Sequence, residues 1–155
     1  MERLDAVLAE HPFFRGLKDE YLDLIAGCAA NVHIEAGQTL FAEGDPADRF
    51  WAVRHGSVSV EIHAPDRGSL VVQTLGPGEI LGWSWLFPPH IWKFDARARE
   101  AVRATVFDGA CLRDKCDADP ALGYELMKRL ARVVTHQLEM TRLQLLDLYG
   151  AKPRA

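Results

Sequence analysis

The chain is short of cysteine, has no long apolar run and carries no surplus of positive charge. Each shortage excludes a class of protein. Three cysteines, Cys28, Cys111 and Cys116, form an odd set without a CxxC pair. They indicate neither a disulfide framework nor a thiolate metal site, and read as free thiols in a reducing cytoplasm. A redox pair of Cys111 and Cys116 is set against the plainer reading of small half-buried side chains. The longest largely apolar run, Ile80–Phe87, has eight residues, whereas a membrane span needs about 20. The start, Met1-Glu2-Arg3-Leu4-Asp5, mixes charge with apolar groups and lacks the core of a signal peptide. A cytoplasmic protein without a membrane partner is expected. Lys plus Arg number 18 against 22 Asp plus Glu, a net charge of −4. Binding to phosphate backbones needs a basic face, so no DNA partner is expected.

What is present fits one domain. The 155 residues are enough to bury roughly 70% of the unfolded surface without a metal or disulfide. Both ends have helical periodicity. Residues 2–9 place Leu4, Val7 and Leu8 on one face, with His11-Pro12 as a stop. Residues 18–27 repeat this with Tyr21, Leu22, Leu24 and Ile25 before Gly27. Between about 30 and 107, short apolar runs alternate with turn signals such as Gly44-Asp45-Pro46, His55-Gly56, Pro65-Asp66-Arg67-Gly68 and Gly76-Pro77-Gly78. That spacing predicts antiparallel strands in a sandwich or barrel. Val58, Val60 and Ile62 alternate with polar neighbours, as do Ala96 and Ala98 with Asp95, Arg97 and Arg99, giving one dry and one wet face.

A last helix is predicted over about 118–148, capped by Asp119 with Pro120 at its first position. Met127, Leu130, Val134, Leu138, Thr141, Leu145 and Leu148 form a stripe in steps of three and four. From Pro120 to Leu148 such a helix would be roughly 43 Å long, more than a small β-domain covers. A homodimer through Val134, Leu138, Leu145 and Leu148 is the simplest closed solution. A partner protein is the competing one.

The run from Ala36 to Val60, with Gly37, Gly44-Asp45-Pro46-Ala47-Asp48 and Gly56 at its corners, resembles the cyclic nucleotide-binding domain of the Crp/Fnr superfamily. Leu75-Gly76-Pro77-Gly78-Glu79-Ile80-Leu81-Gly82 is similar to the strand entering that family's phosphate-binding cassette. Asp119-Pro120 and the long helix resemble its dimer helix. The resemblance spans roughly residues 11–148 and implies a mainly β jelly roll, a double-stranded β-helix, with N-terminal helices and a long C-terminal helix. It also implies a short cassette helix whose N–H groups face a phosphate, a Glu on the ribose hydroxyl and an Arg on the phosphate.

The matched positions depart from that pattern. Gly82 stands at the cassette glycine, but Trp83 follows where Glu is expected, and residues 88–94 hold Lys93 and no Arg. An Arg fork makes bidentate bonds that a Lys point charge does not reproduce. Cyclic AMP is therefore disfavoured, and no cofactor is expected. Gly82, Trp83, Ser84, Trp85, Trp92, Lys93 and Arg97 are the pocket candidates. Trp83, Trp85 and Trp92 either form an aromatic cage for a planar or cationic ligand or fill the cavity. Arg97 and Arg99 either reach an anion or line a solvated face. The expected function is that of a non-enzymatic regulatory sensor. The alternatives are a structural subunit docked on a partner enzyme, or a haem or metal sensor through His90. Ser84 lacks a His/Asp partner, and Walker, GxSxG and GxGxxG motifs are absent. The residues after Leu148 are too few for the helix-turn-helix of Crp-type regulators.

Overall fold

A computed structural model describes residues 3–150. Eight strands form two four-stranded antiparallel sheets, as expected for the jelly roll. Strands β1 (Ala29–Ile34), β8 (Val102–Asp108), β3 (Arg49–His55) and β6 (Ile80–Leu81) make the first sheet, in that order. Strands β2 (Thr39–Phe41), β7 (Asp95–Ala98), β4 (Val58–Ala64) and β5 (Gly68–Leu75) make the second. Helices α1 (Leu4–Glu10) and α2 (Asp19–Ala26) precede the roll, and α3 (Gly109–Ala118) and α4 (Pro120–Gly150) follow it.

Side-chain alternation divides the core in two. On β3, Trp51 and Val53 point into the roll, joining Val58, Val60, Leu81, Ala96, Ala98 and Trp92. Phe50 and Ala52 point the other way, joining Phe14, Ile25, Phe107, Leu112, Leu122 and Leu126 beneath the helices. Strand β3 is thus covered on both faces, which is why Phe50–Val53 reads as an unbroken apolar run. The second sheet keeps a polar outer face, with Arg97 outside and Ala96 and Ala98 inside. Gly56 occupies the turn between β3 and β4 at φ +85°, where a Cβ would lie 2.2 Å from the Ala101 carbonyl oxygen.

Helix α4 starts at Pro120, and the Asp119 carboxylate accepts from Leu122 N–H at 3.3 Å. Leu122, Leu126 and Leu130 bury its first turns. Its outer turns leave the roll: Val134, Leu138, Leu145 and Leu148 are 39%, 49%, 48% and 72% exposed.

Two findings differ from the sequence expectations. Helix α3 was not anticipated; Asp108 ends β8 and caps it by accepting from Cys111 N–H at 3.0 Å. That cap brings Cys111 to Cys28, with Cα atoms 5.7 Å apart, and the two form a disulfide. Cys116 alone remains a free thiol. The expectation of three free thiols is corrected, and Cys28 and Cys111 no longer argue for a reducing compartment.

His11 anchors the segment after α1. Its Nδ1 accepts from Phe13 N–H at 3.2 Å and its Nε2 meets the Val53 carbonyl oxygen at 3.1 Å. This pattern requires a neutral ring that donates from Nε2. Burial holds its pKa below the ordinary histidine value; the Val53 bond opposes the shift and Arg54 adds to it. Because the folded pKa lies below the unfolded one, this contribution is complete above about pH 6.5 and is lost as pH falls toward the folded value. Thermal melts between about pH 7.5 and 5.5 should show a falling Tm, and His11→Gln should flatten that dependence.

Candidate functional site

The hairpin of β4 and β5 extends past the roll, and α4 crosses over it. Val60 pairs with Gln73 and Ile62 with Leu70 along this hairpin. The Gln144 amide on α4 donates to the Val72 carbonyl at 3.2 Å, fastening helix to hairpin. Between them lies an open-sided cavity of about 290 Å³. The hairpin contributes Val60, Ile62, Val72, Gln73 and Leu75, and the segment after β6 contributes Leu81, Gly82 and Trp83. Phe94 closes one end, and α4 lays Val134, Gln137, Leu138 and Thr141 across the top. None of these side chains is ionisable, so the cavity offers neither an anion nor a cation a charged partner.

The tryptophans do not converge. Trp85 lies in the helix-side core, stacked on Phe50 with centroids 4.8 Å apart, and its carbonyl accepts from Arg113. Trp92 fills the roll, stacked on Phe41 at 3.8 Å. Trp83, half-buried, is the one indole lining the cavity. Two of the three candidate cage residues are therefore core.

Gly82 explains the arrangement around Trp92. Its φ is +99°, and a Cβ there would lie 2.5 Å from the indole. The glycine lets the backbone pass over a ring that is only 2% exposed. The expected cassette helix is a single turn closed by Leu86 N–H donating to the Trp83 carbonyl at 3.1 Å. One turn does not present the aligned N–H groups of a helix N-terminus.

The remaining candidates lie elsewhere. Ser84 is half-buried in that turn and does not line the cavity. Lys93 is exposed. Arg97 projects from the outer face of the second sheet, its Nε 3.8 Å from Glu61 Oε2. Ser59 and Ser69 donate to the same carboxylate at 2.6 and 2.8 Å. These hydrogen bonds, aided by Arg97 and Arg99 and opposed by burial, hold Glu61 below the ordinary carboxylate range. His90 stands in the turn after Pro88-Pro89 at φ +54°, with Nε2 buried and unbonded, outside the cavity lining. Among the described residues no three His, Cys, Asp or Glu side chains gather as metal ligands.

The structure joins Gly82 and Trp83 with Val134 and Leu138, assigned from sequence to the dimer stripe. Leu145 and Leu148 stand clear on the outer turns. Sequence reasoning missed Gln73, Phe94, Gln137 and the hairpin valines. Thr141, a stripe residue by its spacing, also lines the cavity. A second cavity of about 310 Å³ lies beside α4, where Arg129, Arg132 and His136 face Pro12, Phe13 and Glu79. Gln137 borders both cavities.

Comparison with known proteins places these features in context. The family model for the cyclic nucleotide-binding domain matches residues 31–119. A CRP-like cAMP-activated global transcriptional regulator of Mycobacterium tuberculosis (strain CDC 1551 / Oshkosh) is 29% identical over 145 residues, 94% of this chain and 63% of the regulator. The chain thus spans less than two thirds of that relative. The acetyltransferase Pat of Mycolicibacterium smegmatis is 36% identical over 77 residues, 50% of this chain and 23% of Pat. The crystal structure of a candidate cyclic nucleotide-binding protein from Geobacter metallireducens superposes with a TM-score of 0.78 at 30% identity, covering 89% of this chain and 99% of that one.

Gly82→Ala tests the contact at the floor of the site. The added methyl meets a fixed indole and the backbone is left-handed, so a loss of about 2–4 kcal/mol is expected in equilibrium denaturation.

Proposed function

This chain belongs to the cyclic nucleotide-binding domain family, and from that premise we propose that it is a regulatory module sensing a ligand other than a cyclic nucleotide in the cavity between hairpin and α4. The observation that carries this reading is the absence of any ionisable side chain from the cavity walls. A cyclic nucleotide brings a phosphate charge and a ribose hydroxyl. Trp83 stands at the position matched to the ribose-binding Glu, and Lys93 lies exposed outside the lining. A buried anion without a counter-charge loses its hydration for nothing in return. The cavity keeps the family's place for a ligand while lacking the groups that hold a phosphate.

A regulatory rather than catalytic role is supported by the relatives. The matched part of Pat is under a quarter of that enzyme, and no nucleophile–base pair was found at the cavity. We read the shared portion as the regulatory one.

We further propose that the working form is a two-fold dimer through α4. Leu145 and Leu148 each leave roughly 1.5–3 kcal/mol of burial unrealised in water. A stripe of this kind along one helix meets its own copy with matching chemistry, closing the assembly without leaving a free end.

Two measurements test these proposals. Isothermal calorimetry with cyclic AMP and cyclic GMP should give no heat of binding; a micromolar or tighter constant overturns the sensing reading. Light scattering should give twice the chain mass of 17.3 kDa, and Leu145→Glu should return it to a monomer with the roll still folded. A wild-type monomer at high concentration overturns the dimer.

A further inference from the structure

Resting on the sensing reading above, we infer that the cavity takes a neutral, mainly apolar ligand bearing one hydrogen-bonding head group, and that the Gln137 side-chain amide recognises that head. Gln137 is 9% exposed. Its backbone carbonyl accepts from Thr141 Oγ1 at 2.9 Å. Its amide has no hydrogen-bond partner among the described residues, although both cavities open onto it. The amide borders open cavities, and a ligand group able to donate or accept pairs with it in place of water, since an amide offers both functions.

Gln73 on the hairpin adds a second amide, and the Thr141 hydroxyl is engaged by the Gln137 carbonyl; the remaining lining specifies the body of the ligand. Val60, Val72, Leu75 and Leu138 supply aliphatic walls, while Trp83 and Phe94 supply aromatic faces. A volume of about 290 Å³ accommodates a fused bicyclic ring. Charge is selected against, because no ionisable wall group balances it. A site built around one buried hydrogen bond distinguishes ligands with the matching head from those of the same shape without it. Gln137 also lines the second cavity beside Arg129, Arg132 and His136 of the same helix. A carboxylate probe therefore decides which side the amide serves.

The test uses three probes with one ring: 2-naphthol, 2-methylnaphthalene and 2-naphthoate, titrated calorimetrically into the full chain near neutral pH. We expect 2-naphthol to bind, with 2-methylnaphthalene and 2-naphthoate each about tenfold weaker or worse. Gln137→Leu should bring the naphthol-to-methylnaphthalene ratio to about one while retaining 2-methylnaphthalene. Gln137→Met serves the same purpose if the leucine variant fails to fold, as judged by circular dichroism. Naphthoate binding as tightly as naphthol, a tenfold ratio surviving in the folded variant, or no binding of any probe at about 1 mM each overturns the inference. These outcomes are separable from failure of the broader reading, which shows as cyclic AMP binding. Naphthoate preference with cyclic AMP silent overturns only the ligand class.

Discussion

Strand β3 of the first sheet is buried on both faces along Phe50–Val53, and the rest of the molecule is arranged around that constraint. Strand β3 sends Trp51 and Val53 into the roll and Phe50 and Ala52 toward the helices. A sheet so loaded must be covered twice, once by the second sheet and once by helices α1 to α4. The disulfide joins the end of α2 to α3 on the helical side. The helix-side core takes in Leu122, Leu126 and Leu130, which sets the direction in which α4 leaves the roll. The cavity is the space left where that helix passes over the hairpin.

Much of this was legible in the sequence. Glycine-bearing turns at short intervals and the Asp119-Pro120 start are local signals that the structure keeps; the alternation along β4 holds only in part, since Ser59 and Glu61 are buried and Ile62 is exposed. What was hidden is tertiary. Cys28 and Cys111 are separated by 83 residues, and the pairing of β1 with β8 together with the capped start of α3 brings them together. That helix itself buries just Gly109 and Leu112, too little periodicity to announce it. Trp83, Trp85 and Trp92 are close in sequence, yet their segment turns sharply and sends each ring to a different environment. Gln137 gave no signal at all, since a polar residue beside an apolar stripe reads as surface.

On the proposed reading, the site exchanges charge for shape. Where the family pattern places a carboxylate and a guanidinium, this chain has an indole at the mouth and a lysine in solvent. Its arginines are engaged or turned elsewhere: Arg97 toward Glu61, Arg113 on the Trp85 carbonyl, and Arg129 on the carbonyls of Phe13 and Arg15. The cleft between hairpin and α4 is walled mainly by apolar side chains, with the amides of Gln73 and Gln137 and the Thr141 hydroxyl as its polar groups. Fold is therefore a guide to where a ligand sits and a poor guide to its chemistry.

Val134 and Leu138 line the cavity and also belong to the exposed face of α4. Any molecule seated in the cleft and any surface pressed against that face share the same two side chains. If occupancy of the one changes the fit of the other, the coupling is reciprocal: whatever factor an occupant adds to association, association returns to the occupant. On the proposed reading, α4 would then need no hinge or moving lid to act as a transmitter, only two residues with two neighbours.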